Sequence, residues 1–112
     1  MIETMMIDFR EIVGERARNV SGHERGALAR AKYGLDAADK QEAVVDVLIP
    51  AEIDAVATSF FQGMFSGSVR HYKTKERFLE HYRFNATPVI MEQIIRGIER
   101  SMTSRGGSAF LN

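Results

Sequence analysis

The spacing of apolar and polar residues along this chain predicts strands that alternate with helices. Met5–Phe9 and Ala43–Ile49 are short apolar runs rich in aliphatic residues, as is typical of strands. Ala43–Ile49 contains a single acid, Asp46, which favours a central strand covered on both faces. Pro50 is expected to end that strand, because proline cannot donate a hydrogen bond to a neighbouring strand. In Glu11–Val20, Gly14 and the charged residues favour a loop or a second short strand.

A first helix is predicted to start at Ser21 and to end at Gly34. Ser21 and Glu24 have the spacing of a capping box, and glycine is the usual residue just after a helix. An apolar stripe with helical spacing would face the core, formed by Ala27, Leu28, Ala31 and Leu35. The basic residues are expected on the solvent sides, namely Arg25, Arg30 and Lys32. The charged stretch Asp36–Glu42 predicts a connection to the next strand.

The second predicted helix carries most of the aromatic residues. Thr58 or Ser59 is expected to be its N-cap, and Ser59 and Gln62 again have the spacing of a capping box. Its apolar face is expected to lie against a sheet and comprises Phe60, Phe61, Met64, Phe65 and Val69. Ala51–Ala57, which precedes it, has no clear assignment.

The last part of the chain predicts a short helical turn at Thr74–Arg77 and ends with a final helix. Between them, Leu79–Phe84 could be either strand or helix. Thr87 is the expected N-cap of the final helix, with Pro88 at its first position, where the missing N–H costs nothing. Its core stripe is expected to be Met91, Ile94, Ile95, Ile98 and Met102. Residues 105–112 are predicted to be a flexible tail. Together these elements predict one α/β domain over residues 1–112, with a mixed sheet flanked by helices.

Composition narrows the class of protein. The 112 residues contain 15 basic and 15 acidic side chains, so no net charge attracts nucleic acid or an anionic membrane. Cysteine is absent, which excludes disulfides and thiolate metal sites. No signal-peptide pattern or long apolar run occurs, which predicts a cytoplasmic protein without a membrane contact. The sequence leaves homo-oligomerisation open.

Thr58 and Ser59 are the first candidate site, at the start of a helix beyond a strand. Capping alone explains two hydroxyl residues there. They could also accept a phosphate, whose charge of about −2 would lie beside the positive helix end.

Two further groups of charged residues are candidates for binding. A basic-aromatic cluster follows the second helix and could contact an anion or nucleic acid through Arg70, His71, Lys73 and Arg77, with Tyr72 and Lys75 beside them. A solvated loop balanced by Glu76 and Glu80 explains the same residues.

The acids Asp46, Glu52 and Asp54 could meet beyond a strand end, as in a nucleotide-binding or phosphoryl-transfer domain. No complete nucleophile, metal or phosphate-loop motif accompanies them, and His23, His71 and His81 lack ligand spacing, so the sequence predicts no enzymatic activity, cofactor or metal site.

Several segments together resemble a known family. They are the early strand with Gly14 and Arg16, the Ser21-Gly22 helix start with Arg25, the strand Val44–Val47 with Asp46, Ser59-Phe60 at the aromatic helix, and Tyr82–Asn85 before the last helix. This pattern, which covers most of the chain, is similar to the STAS-like domain family of unknown function found in bacteria, phages and archaea. That family resembles the fold of the anti-sigma-factor antagonists.

The resemblance implies a non-enzymatic regulatory module that binds a protein, such as a GHKL-type kinase or ATPase or a sigma-factor regulator. Ser59 matches by position the serine that is phosphorylated in anti-sigma-factor antagonists. The acid before that serine and the glycine after it are absent here, where the sequence reads Ala57-Thr58-Ser59-Phe60.

Overall fold

A computed structural model describes residues 4–14 and 16–108 of the chain, with side chains as far as residue 103. Five strands and six helices follow one another in this part of the chain. The strands are β1 (Thr4–Asp8), β2 (Asn19–Val20), β3 (Val44–Leu48), β4 (Ala55–Val56) and β5 (Tyr82–Asn85). The helices are α1 (Phe9–Val13), α2 (His23–Tyr33), α3 (Leu35–Lys40), α4 (Thr58–Tyr72), α5 (Lys75–His81) and α6 (Pro88–Ser108). The α/β class and the single domain are therefore as predicted.

The strands form two parallel sheets rather than one mixed sheet. β3 lies in the centre of a three-stranded sheet of order β1-β3-β5, while β2 pairs only with β4. The register places Ile7 beside Val47, and Val47 beside Phe84. The prediction of a mixed sheet was wrong because the direction of a strand depends on the crossover helices, which strand composition does not reveal.

The three-stranded sheet is covered on one face, and helix α4 covers it. Val45 and Val47 are fully buried, whereas Val44, Asp46 and Leu48 on the other face are half-buried. Met6, next to Asp46 on that second face, is 63% exposed. β3 is thus the central strand, as predicted, but the expected cover on both faces was wrong.

Helix α4 is the centre of the domain, and its aromatic face was predicted correctly. Phe60, Phe61, Met64, Phe65 and Val69 are all buried. The ring of Phe65 lies 5.4 Å from that of Phe84 and 5.6 Å from that of Tyr82, so it joins the helix to strand β5. Helices α2 and α6 pack against other sides of α4.

Helix α2 turns a different side to the core than its sequence predicts. Gly26 and Ala29 are its buried residues, whereas Ala27, Leu28 and Ala31 are exposed. A methyl group on Gly26 would collide with the carbonyl oxygen of Phe60, and this close backbone approach to α4 requires glycine. The close approach of α4, rather than the apolar stripe, decides which side is buried.

Several predicted boundaries also change. Phe9–Val13 is a helix, capped by the Asp8 carboxylate, which accepts a hydrogen bond from the N–H of Arg10 at 2.9 Å. Asp36–Glu42, predicted as a connection, contains most of α3, which starts directly after Gly34. Gly34 has φ 64°, the left-handed conformation expected after a helix.

The C-terminal elements match their predictions more closely. Thr74 caps α5 by accepting a hydrogen bond from the N–H of Arg77, and Tyr82–Asn85 is a strand. Thr87 accepts from the N–H of Ile90 at 3.3 Å, with Pro88 at the first helical position. Ile94 and Ile98 are fully buried, but Met102 is 37% exposed and Met91 and Ile95 are half-buried. Of the predicted tail, residues 105–108 are within α6 and residues 109–112 lie outside the described residues.

Candidate functional site

The predicted site at Ser59 lies where two helices begin side by side. Strands β2 and β4 are parallel neighbours, with Val20 beside Val56, and each leads directly into a helix. The N–H of Ala57 donates to the carbonyl of Val20 at 2.8 Å and extends this pairing to the first residue before α4. The N-termini of α2 and α4 therefore lie at the same end of the domain. We call this region, comprising residues 20–23 and 56–59, the helix-start junction.

Ser59 does not cap its own helix, contrary to the prediction. The N-cap of α4 is Ala57, and no side chain accepts a hydrogen bond there. The Ser59 hydroxyl instead accepts a hydrogen bond from the backbone N–H of Gly22 at 3.3 Å. Gly22 is the N-cap of α2, with φ 99°, so the predicted cap by Ser21 and its capping box with Glu24 are also wrong. Ser59 thus joins the starts of the two helices.

The electrostatics of the helix-start junction favour a negative group. A helix N-terminus carries about half a positive charge, and two such termini meet here. The first turn of α4 contains no acidic residue, whereas the first turn of α2 contains Glu24, which offsets part of this positive charge. Thr58 is half-buried and Ser59 is exposed, so solvent reaches both hydroxyl residues. The structure therefore places the predicted pair at the start of α4, beside the start of α2.

The basic-aromatic cluster is a helical surface and not a loop. Arg70 and His71 lie in the last turn of α4, Lys73 is its C-cap residue, and Arg77 lies in α5. All four side chains are exposed. Arg70 and Lys73 line a depression of about 420 Å³ together with Val69 and Met102, whereas His71 and Arg77 do not. Two of the four predicted anion contacts, Arg70 and Lys73, therefore lie on one depression.

The three acids do not form a common site. Asp46 lies in the middle of β3 and accepts a hydrogen bond from Arg83 at 2.8 Å, which holds the pKa of the Asp46 carboxyl below its usual value. Glu52 is paired with Arg10 at 2.9 Å, and Asp54 with Arg18 at 2.8 Å.

Within residues 4–14 and 16–108, no group of three or more histidine, cysteine or acidic residues could hold a metal ion. His23 and His71 are exposed, and His81 is half-buried with its ring stacked on Tyr72.

A buried polar network, missed in the sequence, joins four elements. The Asp39 carboxylate accepts hydrogen bonds from Ser68 at 2.6 Å and from Tyr82 at 2.7 Å. Arg30, only 16% exposed, donates to Asp39, to Ser68 and to the carbonyl of Met64. Asp39, Ser68 and Tyr82 are at most 4% exposed, so this network braces α2, α3, α4 and β5 and offers no group to a ligand.

One signal could have revealed the network. Leu35, Ala38 and Asp39 have the spacing of one helix face, and both apolar members are buried. Predicting a helix over Asp36–Glu42 would have placed Asp39 on that buried face. Arg30 was expected in solvent, and nothing near it in the sequence shows that Met64 and Ser68 would surround it.

Comparison with protein-family models, with curated proteins and with solved structures finds no match to this chain. The similarity to the STAS-like family therefore stays a prediction. Among the described helices, none combines the length and the apolar character that a membrane span requires.

Proposed function

We propose that this chain is a regulatory module without enzymatic activity, which binds a protein partner at the helix-start junction. The observation that supports this most is the contact from the Ser59 hydroxyl to the N–H of Gly22. A group added to Ser59 would replace that contact and would act on both helices at once. The STAS-like fold, a bacterial cytoplasmic setting and a partner of the GHKL-type kinase or sigma-regulator class belong to the same proposal.

Phosphorylation of Ser59 is the proposed switch. A phosphate would add a charge of about −2 beside two positive helix ends, so the folded domain would tolerate it. The same charge would be poorly tolerated in an interface, where it must lose its water without gaining a matching cation. The modified module would therefore stay folded and release its partner.

The experiment compares Ser59→Asp with Ser59→Ala, using the partner that co-purifies from the source organism. Ser59→Asp is expected to weaken binding about tenfold, which is about 1.4 kcal/mol, with a melting curve close to wild type. Ser59→Ala should bind normally and lose about 0.5–1.5 kcal/mol of stability, because the Gly22 N–H loses its acceptor.

Thr103→Asp is the matched control, because it adds the same charge at an exposed position of α6. Mass spectrometry of the protein purified from its source would identify a phosphate on Ser59. The proposal fails if no protein co-purifies, or if Ser59→Asp binds the partner as tightly as Thr103→Asp does.

A further inference from the structure

Helix α2 exposes an apolar face that its sequence would place in a core. Ala27, Leu28 and Ala31 have helical spacing, and all three are exposed. Leu28 is 66% exposed, the largest fraction for any large apolar side chain among the described residues. The opposite side of α2 makes the contact with α4 through Gly26. The described part of the chain therefore leaves this face of α2 uncovered.

A groove lies between α2 and helix α1, and of this face it includes Leu28 but neither Ala27 nor Ala31. Its volume is about 220 Å³, and it is lined by Glu11, Ile12, Arg25, Leu28, Ala29 and Lys32. Small-molecule sites usually enclose about 300–1,000 Å³, so the groove is small for a metabolite or cofactor. Ile12, Leu28 and Ala29 make its walls apolar, which suits a single apolar side chain.

The charges at the rim of the groove indicate what flanks that side chain. Arg25 and Lys32 are seven positions apart on α2, about 10 Å along its axis. Neither forms an ion pair with another described residue. The Glu11 carboxylate already accepts a hydrogen bond from the hydroxyl of Tyr33 at 2.7 Å. The rim thus carries two cations and one carboxylate, that of Glu11, and the Lys32 ammonium lies 5.4 Å from the centre of the Tyr33 ring. The net positive charge favours carboxylates on either side of an apolar anchor.

We propose that this groove, the α1–α2 groove, docks an apolar side chain of a protein partner whose neighbouring residues are acidic. The inference rests on the proposed function, since it names the chemistry of the partner. Arg25 joins the groove to the helix-start junction: its Cγ and Cδ lie 3.6 Å from the position that a Cβ on Gly22 would occupy. A phosphate on Ser59 would attract Arg25 away from the groove and thereby weaken docking.

The test uses a defined probe, a helical peptide with one leucine flanked by glutamates, titrated into ¹⁵N-labelled protein. Saturable shifts are expected at Ile12 and along residues 25–32. Leu28→Ser and Arg25→Glu should each weaken binding of the peptide at least tenfold. Val89→Ser, which removes a 59% exposed apolar side chain from α6, should leave binding unchanged. A peptide with lysines in place of the glutamates should not bind, nor should one with serine in place of the leucine.

The absence of saturable shifts, shifts confined to other residues, or equal binding of the lysine peptide would each overturn the docking proposal. Binding of the co-purified partner distinguishes a failure of the docking proposal from a failure of the proposed function. If that partner responds to Ser59→Asp but not to Leu28→Ser, the groove assignment is wrong and the switch stands. If the peptide occupies the groove while Ser59→Asp leaves the affinity for the partner unchanged, the switch is wrong and the groove assignment stands.

Discussion

The phenol of Tyr82 donates a hydrogen bond to the Asp39 carboxylate at 2.7 Å, although the two residues are 43 positions apart. The same carboxylate lies 3.1 Å from Arg30, which is the only cation paired with it among the described residues. Strand β5 is thereby attached to α3 and α2 through one buried acid. A buried charge that loses its partner costs more than the pair contributes, so the network can be tested by removing one member at a time.

Asp39→Ala should destabilise the fold by about 3 kcal/mol or more, because Arg30 then keeps a buried positive charge without its inner carboxylate. Tyr82→Phe should cost about 1–3 kcal/mol, since it removes one hydrogen bond to Asp39 and keeps the ring. Denaturant melts measure both. Asp36→Ala is the control: Asp36 also pairs with Arg30, at 2.7 Å, but its side chain is 84% exposed, so its loss should cost less than about 1 kcal/mol. Equal losses for Asp36→Ala and Asp39→Ala would contradict the assigned role.

Phe65→Ala should cost about 3–5 kcal/mol, because the ring is fully buried against Phe78 and Phe84. Leu28→Ala removes a large apolar side chain from an exposed position and should change stability by less than about 0.5 kcal/mol. Equilibrium unfolding in denaturant gives both values. A cost below about 1 kcal/mol for Phe65→Ala would show that α4 is not the core helix.

Gly26→Ala and Gly63→Ala should both destabilise the protein, although alanine is the better helix former by about 1 kcal/mol. A methyl group at Gly26 would meet the carbonyl of Phe60, and one at Gly63 would meet the carbonyl of His23, so α2 and α4 would have to separate. Thermal melts measure the change. As a control, Ala27→Gly at an exposed position of α2 should show only the ordinary helix penalty. A rise in melting temperature for either glycine variant would refute the close approach of the helices.

The three tyrosines should titrate late in the folded protein. Burial is the main cause that raises the pKa of Tyr33 and that of Tyr72 to about 12, and it also raises the pKa of Tyr82. Unfolded tyrosine has a pKa of about 10, so the fold favours the neutral phenol. The resulting stability is complete below about pH 10 and is lost as the pH rises through about 12.

Ultraviolet absorbance of the phenolate measures the ionisation of the tyrosines directly. Little phenolate should form at about pH 10.5 in the folded protein, whereas the protein in denaturant should be more than half ionised. Stability measured by denaturant melts should fall over the same alkaline range. Ionisation of all three tyrosines near pH 10 without unfolding would contradict the buried positions of Tyr72 and Tyr82.

The sequence by itself determined the elements whose signals are local. Strands β1 and β3, the aromatic face of α4, the end of α2 at Gly34 and the start of α6 at Thr87 were all predicted, whereas the stretch that contains β5 was left open between strand and helix. Each depends on residues within about one turn or one strand of each other, through periodicity, capping or backbone conformation. Ser59 was also placed correctly at a helix start for this reason.

Only the tertiary structure decided how those elements face each other. The buried side of α2 depends on Gly26 meeting a carbonyl of α4, and the partner of Ser59 is Gly22, 37 positions away. Asp39 is buried because Arg30, Ser68 and Tyr82 converge on it from three other elements. The burial of a polar or small residue depends on what the chain brings against it, and this packing information is not contained in its neighbours in sequence.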